Sequence, residues 1–208
     1  MYPVAGSQYQ NSDYHHIDLS INNADLQNLG TQDALSLYIQ KQTQFAGKRL
    51  AYGGYREQRN LYQRSELFSA EARTLHLGID VWLGAGEPVY AHAAGTIHSI
   101  KNNDAHLDYG YTVITKHNNI DSSAYFSLYG HLSSAGLADM KVGQNLKEAQ
   151  RLAYIGDINE NGGWAPHLHF QLMLDMEGYS GDYPGVCSQE KADHYFTNCP
   201  DPIKHILI

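Results

Sequence analysis

Apolar and polar residues alternate with a period of two along most of the chain after residue 61. Such runs are typical of β-strands with two chemically different faces, and Gly, Asn, Asp or Pro separates one run from the next. No helical pattern lies between most of the runs, which favours antiparallel pairing. The sequence therefore predicts a mostly β fold with a largely antiparallel sheet. The runs are IDVWL, PVYAHA, GTIHSI, YTVITKH, AYFSLYGHL, RLAYIGD and HLHFQLML.

Residues 1–60 carry a weaker pattern, in which one helix is predicted. Thr31 is a typical N-cap residue, and Gly47 stands where a helix commonly ends. We expect a helix over about residues 32–46, within an N-terminal extension (1–60) that precedes a single β domain (61–208). The apolar residues at helical spacing are Leu35, Tyr38, Ile39, Phe45 and Ala46.

Composition limits the kinds of partner. The 208 residues suffice for one substantial domain, and 42% of them are hydrophobic, as in folded globular proteins. No apolar run approaches the roughly 18–20 residues that a membrane span needs. A net charge of −8, without a basic stripe, disfavours nucleic acid and anionic membranes as partners. We therefore expect no nucleic-acid partner and no membrane span, and no feature indicates the oligomeric state.

The expected compartment follows from the first residues and the cysteines. The start, MYPVAGSQYQNSDYHH, lacks the basic and apolar stretches of a signal peptide, so we expect a cytoplasmic protein. A processed or shortened chain would instead belong to the periplasm or the extracellular space. Cys187 and Cys199 are expected to be free thiols in a reducing compartment, and a disulfide between them is the alternative for an exported chain.

Two histidines in the last run, His167 and His169, are candidates for a metal or catalytic site. An isolated pair of this kind is most often two solvated histidines on a half-exposed strand, so further elements are needed to indicate a site. On the predicted strand, one face carries His167, His169 and Gln171, and the other carries Leu168, Phe170, Leu172 and Leu174.

His76 and Asp80 form a second pair, in the stretch RTLHLGIDVWLGAGEPVYA. A fully extended chain would hold them about 13 Å apart, but Gly78 between them lets the backbone bend. Imidazole and carboxylate are both good zinc ligands, and catalytic zinc sites combine three protein ligands with a water.

A third element is His131, which ends the run AYFSLYGHL. Its expected face also carries Tyr125, Ser127 and Tyr129.

Four stretches of the chain resemble one known enzyme family. HLGIDVWLGAGEPVYAHAAGTI, LYGHLS, VGQNL…LAYIGD and GGWAPHLHFQ resemble, in order and approximate spacing, the motifs of the lysostaphin-type zinc metallopeptidases. The resemblance covers about residues 70–175 and implies the fold of that family. It implies one Zn²⁺ per chain, held by His76, Asp80 and His169. It also implies His131 and His167 as catalytic histidines, acting in hydrolysis of a peptide or amide bond by zinc-activated water. Peptides or muropeptides derived from peptidoglycan are the implied substrates.

Other stretches narrow this resemblance or depart from it. YGGYREQRNLY, ENGGWAPHLHFQ and CPDP resemble the peptidase-like module that some bacterial proteins carry between a kinase-like domain and a class III aminotransferase. Trp164, Ala165 and Gln171 stand where many lysostaphin-type enzymes have Thr, Gly and an acidic residue. These residues lie beside the expected site, so the differences bear on substrate preference more than on metal binding.

The residues themselves indicate how a proton would move. The chain has no H-E-x-x-H motif and so lacks the glutamate base of thermolysin-like enzymes. His131 or His167 is the natural replacement, because imidazole titrates near ~6.5, and the other would donate a hydrogen bond to the oxyanion. Trp164 either stacks on the substrate or closes the edge of the core. The histidines expected to be exposed or hydrogen-bonded are His92, His98, His106, His117, His194 and His205.

Two other functions fit parts of this pattern. A non-catalytic or regulatory binding module on the same fold is the main alternative, but such relatives typically lack one or more of the five site residues. A cupin-type metal protein is suggested by an HxH pair followed by Glu177. Glu177 comes too late after His169 for that family's spacing, and the H-x3-D pair would have no role. The sequence therefore favours an enzyme.

Overall fold

The computed structural model of the protein describes residues 1–29, 31–60, 73–118 and 123–207. None of the helices in these ranges is both long and apolar enough to cross a bilayer. The strands are β1 (Tyr14–His16), β2 (Leu50–Gly53), β3 (Leu75–His76), β4 (Ile79–Trp82), β5 (Pro88–Tyr90), β6 (Gly95–Asn103), β7 (Gly110–Asn118), β8 (Ala124–Leu132), β9 (Asn145–Leu146), β10 (Arg151–Tyr154), β11 (Leu168–Met173) and β12 (Val186–Cys187). The helices within the described ranges are α1 (Gln32–Phe45) and α2 (Ala192–Asn198), with short 3₁₀ helices at Asn11–Asp13, Ala24–Asn28, Gln189–Lys191 and Ile203–His205.

Eight of the described strands form one sheet, in the order β1-β2-β4-β11-β8-β7-β6-β9. Its neighbouring strands are antiparallel, except that β1 and β2 pair in parallel. Strand β5 pairs with β10, and β3 pairs with β12. The seven runs expected to form strands correspond to β4, β5, β6, β7, β8, β10 and β11. The predicted mostly β, largely antiparallel fold is confirmed.

Apolar side chains cover this sheet on both faces. One cluster includes Tyr129 and Phe170, and the other includes Leu128 and Met173. Successive residues of a strand point to opposite faces. Because both faces are covered, all six residues of β11 are buried. The polar face of β11 therefore lies inside the protein and not in water. Leu174, expected to continue the apolar face, lies just beyond β11 and is 50% exposed, so that prediction is wrong.

Residues 1–60 contribute to the sheet and to its core. Strands β1 and β2 form one edge of the sheet. Val4 is fully buried in the same apolar cluster as Phe170. The division of the chain into an extension (1–60) and a β domain (61–208) stays a prediction, because residues 61–72 at that boundary lie outside the described residues.

Helix α1 lies where the sequence predicts one and begins after Thr31. The Thr31 hydroxyl accepts a hydrogen bond from a backbone N–H of the first turn at 3.1 Å, as an N-cap should. The buried stripe of the helix is Leu35, Ile39 and Thr43. Phe45, expected among the apolar contacts, is 93% exposed. At about 100° per residue it lies roughly 200° around the helix from Thr43, so the prediction for Phe45 is wrong.

Three histidines outside the predicted site form a cluster. The ring centroid of His92 lies 4.5 Å from those of both His117 and His205. Nδ1 of His92 is 3.0 Å from the Tyr129 hydroxyl, and Nδ1 of His117 is 2.8 Å from the Ala94 carbonyl oxygen. Both side chains are thus hydrogen-bonded, as expected. Burial lowers the pKa of His92 to about 2 and the pKa of His205 to about 4.

We expect acid to destabilise the fold through this cluster. An unfolded imidazole titrates near ~6.5, whereas His205 in the folded protein titrates at about 4. Between these values the unfolded chain binds more protons, so the free energy of unfolding falls as the pH drops. Substituting His205→Asn removes this group and should make that fall shallower, as measured by urea unfolding at a series of pH values. The exposed His106→Asn variant should keep the wild-type slope. Equal slopes for His205→Asn and wild type would contradict the assignment.

Candidate metal and catalytic site

Three of the predicted site residues meet inside the protein. Nε2 of His76 lies 3.0 Å from Nδ1 of His169 and 3.4 Å from Oδ1 of Asp80. Nδ1 of His169 lies 3.2 Å from the same Asp80 oxygen. All three side chains are buried, and they form a group whose ligand atoms are close enough to share one metal ion.

Strand register explains why these side chains meet. Asp80 on β4 and His169 on β11 are directly opposite partners in the antiparallel pair. His76 ends β3, just before the break between β3 and β4 at residues 77–78. Gly78 in that break has a further role besides bending the chain. A Cβ there would lie 2.6 Å from Nε2 of His169, so only glycine leaves room for the imidazole.

Hydrogen bonds to the far side of the His76 and His169 rings set the tautomer of each ring. Nδ1–H of His76 donates to the Gly54 carbonyl at 3.0 Å, which directs Nε2 toward Asp80. Nε2–H of His169 donates to Oε1 of Gln171 at 3.0 Å, which directs Nδ1 toward Asp80. The Gln171 amide is itself oriented, because its Nε2 donates to the Pro184 carbonyl at 3.1 Å.

Gln171 therefore has a role that its place in the sequence did not predict. It was expected to influence substrate preference, but the side chain is fully buried and supports His169. Its position two residues after His169 on the same strand face was the available signal. The identity of its partner could not be read from that spacing.

His131 and His167 lie beside the three clustered residues. Their ring centroids are 4.3 Å apart, and Nε2 of His167 is 3.6 Å from Oδ1 of Asp80. Nδ1–H of His131 donates to the Asn161 carbonyl at 2.9 Å, and Nδ1–H of His167 donates to the Ala165 carbonyl at 2.7 Å. In each ring, Nε2 is then the atom that can accept a proton.

The strand face predicted for His131 is wrong. Simple alternation would place it with Ser127 and Tyr129, whose side chains contact His92 on the opposite side of the sheet. His131 has φ +62°, a left-handed backbone conformation that is rare outside glycine. This breaks the alternation at the end of β8 and turns the imidazole toward His169 instead. Strain of this kind is commonly retained at functional sites.

Burial sets the charge of these groups. It lowers the pKa of His131 well below its usual range, and the neighbouring His167 adds to this effect. Burial also lowers the pKa of His167, although Asp80 opposes the shift. Both imidazoles are thus neutral at pH 7. For Asp80, burial disfavours ionisation, but His76 and Arg59 outweigh it and hold the pKa of the carboxyl well below its usual range.

Asn161 organises the loop that carries the partner of His131. Its Nδ2 donates to the carbonyls of Gly156 and Trp164, at 3.3 and 3.0 Å. Its Oδ1 accepts from the backbone N–H groups of Gly163 and Trp164, at 3.1 and 3.0 Å. Asn161 was not among the residues predicted for the site, although Asn before Gly-Gly is a turn signal.

The site opens into a cavity of about 290 Å³. Trp164 lines this cavity, but it is only 7% exposed and packs with Leu107 and Val186. Its indole N–H donates to the Asp108 carbonyl at 3.1 Å. These contacts agree with a role in closing the edge of the core, and stacking of Trp164 on a substrate stays a prediction. The N-terminal region also reaches the cavity, through Leu19, Gln32 and Leu35.

The two cysteines take no part in the three-residue group. Cys187 and Cys199 are free and buried. Burial raises the pKa of the Cys187 thiol to about 11 and the pKa of the Cys199 thiol to about 12. Sγ of Cys199 accepts a hydrogen bond from Gln171 at 3.5 Å.

Replacing Asn161→Ala should destabilise the protein by about 2–4 kcal/mol, because it removes four hydrogen bonds and leaves buried backbone groups without them. Asn159→Ala, at an exposed position of the same loop, should change stability by less than about 0.5 kcal/mol. Urea unfolding of the three proteins measures the difference. An Asn161→Ala variant as stable as Asn159→Ala would show that the loop does not depend on this side chain.

The profile of peptidase family M23 matches residues 74–180. A Haemophilus influenzae protein described as an uncharacterized metalloprotease is 30% identical over 100 residues, which are 48% of this chain and 19% of that protein. A zinc-containing peptidase of known structure from Vibrio cholerae is 29% identical, covering 48% of this chain and 27% of that chain, with a TM-score of 0.38. The catalytic domain of lysostaphin from Staphylococcus simulans is 23% identical, covering 64% of this chain and 80% of that chain, with a TM-score of 0.44.

The lengths of these relatives differ from the length of this chain. It spans 19% of the Haemophilus protein and 27% of the Vibrio peptidase. Both superpositions have TM-scores below 0.5. The family assignment therefore rests on the profile match alone.

Proposed function

Because the chain belongs to peptidase family M23, we propose that it is a zinc-dependent hydrolase of peptide or amide bonds. The observation that carries this proposal is the meeting of three ligand atoms within 3.4 Å of one another at a cavity. These atoms are Nε2 of His76, Oδ1 of Asp80 and Nδ1 of His169. His131 and His167 at the same cavity supply the proton-transfer groups that hydrolysis needs.

The ligand atoms support zinc as the metal. Two imidazole nitrogens and one carboxylate oxygen form a three-ligand set typical of catalytic zinc, which keeps a fourth position for water or substrate. The separations of 3.0, 3.2 and 3.4 Å are close to the edge of about 3.3 Å expected for a tetrahedron with bonds of about 2.0 Å. When bound, zinc would polarise the substrate carbonyl and activate water.

His131 and His167 are proposed to share the proton chemistry. Each holds Nδ1–H on a backbone carbonyl, so Nε2 is the atom that faces the reacting groups. A neutral Nε2 accepts a proton from the attacking water. Once a ring has taken up this proton, its Nε2–H donates a hydrogen bond to the oxyanion and can pass the proton to the leaving group. The stacking of His167 on Trp82, at 5.8 Å between centroids, holds the ring in place for this role.

The proposed substrates are peptides, among them the peptides and muropeptides that derive from peptidoglycan. Membership of the M23 family supports this class, and the cavity lining is consistent with it. The residues that line the cavity include the aromatic Trp82 and Tyr109 and the acidic Asp108. An apolar wall with a few polar groups is usual for a site that binds part of a peptide.

We expect the purified protein to hold about one zinc per chain, and Asp80→Ala to lose most of it, because one of three ligands is removed. Metal analysis by mass spectrometry of dialysed protein measures this. Asp104→Ala, at an exposed acidic position, should retain wild-type zinc. Circular dichroism confirms that each variant is folded. A wild-type protein that takes up no zinc even when zinc is added would sink the proposed function.

Substituting His131→Ala or His167→Ala should leave zinc bound and lower turnover by about 10²–10⁴-fold, because a proton-transfer group is lost. A substrate for the assay comes from screening synthetic peptides and muropeptides. The exposed His106→Ala variant is the control and should keep full activity. Wild-type rates in both active-site variants would refute the assigned roles. Zinc binding without hydrolysis of any such substrate would instead favour a binding module.

A further inference from the structure

The residues from Gly54 to Arg59, here called the 54–59 segment, lie along the candidate metal site. The segment follows β2 and precedes residues 74–180, which match the family profile. Its backbone is hydrogen-bonded to strand β3, which carries His76. The N–H of Arg56 donates to the His76 carbonyl, and the N–H of His76 donates to the Glu57 carbonyl, both at 2.9 Å. These bonds fix the segment against His76.

Arg59 connects this segment to the carboxylate of the site. Its side chain is buried, with the residue only 2% exposed, and Nη1 donates to Oδ2 of Asp80 at 2.6 Å. The other oxygen of Asp80, Oδ1, faces His76 and His169. The guanidinium thus occupies one carboxylate oxygen while the second is directed to the ligand group.

Arg59 is itself held from the other side. Its Nε donates to Oε2 of Glu57, and Oε1 of Glu57 accepts the backbone N–H of Leu19 at 2.9 Å. A continuous chain of hydrogen bonds therefore runs from the N-terminal region through Glu57 and Arg59 to Asp80. A planar guanidinium can bridge two carboxylates in fixed geometry, which an ammonium group cannot do.

Gly54 shows how closely the segment approaches the ligands. Its carbonyl accepts Nδ1–H of His76. A Cβ on Gly54 would lie 2.1 Å from Nη2 of Arg59 and 2.7 Å from Nδ1 of His76. The residue also has φ +109°, which an L side chain rarely adopts. Two of the three ligand residues, His76 and Asp80, are thus oriented by the same short segment.

We propose that the 54–59 segment is the outer support of the metal site and that Arg59 is a positioning residue for Asp80. By holding Oδ2, Arg59 leaves Oδ1 as the single metal-binding atom and keeps the carboxylate from rotating. This inference rests on the proposed zinc site and adds to it a dependence on residues outside the family match. Loss of such outer partners typically weakens metal binding by about 10–100-fold.

The test measures zinc affinity by competition with a chelating dye, without reference to enzymatic activity. Arg59→Met should weaken zinc binding by about 10–100-fold. Arg59→Lys should weaken it by about tenfold, because lysine keeps the charge but lacks the planar guanidinium that bridges two carboxylates. The matched controls are Arg56→Met and Arg56→Lys, at an exposed position of the same segment, which should bind zinc as wild type does.

Bound Co²⁺ gives a second readout that a merely structural role of Arg59 would not change. Its visible absorption weakens as the coordination number rises. In Arg59→Met both oxygens of Asp80 become available, so the absorption of the cobalt-loaded variant should fall below that of wild type. If Arg59→Met does not fold, Arg59→Lys and Glu57→Gln decide, since each loosens the bridge while keeping similar volume.

Two negative results have different meanings. Wild-type zinc affinity and cobalt absorption in the folded Arg59 variants would overturn the positioning role while leaving the zinc site intact. A wild-type protein that binds neither metal would overturn the proposed function, and this inference with it.

Discussion

The register between β4 and β11 is the constraint on which the site depends. It places Asp80 directly opposite His169. A slip of one residue would turn every side chain of a strand to the other face. Such a slip would expose Phe170 to the site and bury His169 in the apolar cluster that Phe170 now shares with Tyr129. Packing on both faces of β11 therefore fixes the register, and the site geometry follows from the packing of the core.

Burial of so many polar rings has a cost that the local hydrogen bonds offset. An imidazole without a partner in a dry interior is destabilising, and here each ring of the site donates to a specific acceptor. The acceptors are the carbonyls of Gly54, Ala165 and Asn161 and the amide oxygen of Gln171. The same bonds select one tautomer for each ring. The groups that satisfy the interior thus also determine which nitrogen can bind metal or accept a proton.

The sequence predicted the parts of the structure that depend on local pattern. Period-two runs located the strands, and residue type with motif order brought forward the five site residues. Features that depend on distant segments were not predictable. The hydrogen bond between Arg59 and Asp80 forms only when distant parts of the chain come together. Asn161 depends on the conformation of the loop whose backbone groups surround its side chain. His131 was assigned to the wrong face because a single left-handed residue is invisible to a periodicity argument.

The most direct test is zinc-edge anomalous diffraction from crystals of the zinc-loaded protein. The account predicts one strong peak per chain, about 2.0–2.2 Å from Nε2 of His76, Oδ1 of Asp80 and Nδ1 of His169. A peak at another position, such as the exposed pair of His194 and Glu177, with none at the three-residue group, would contradict it.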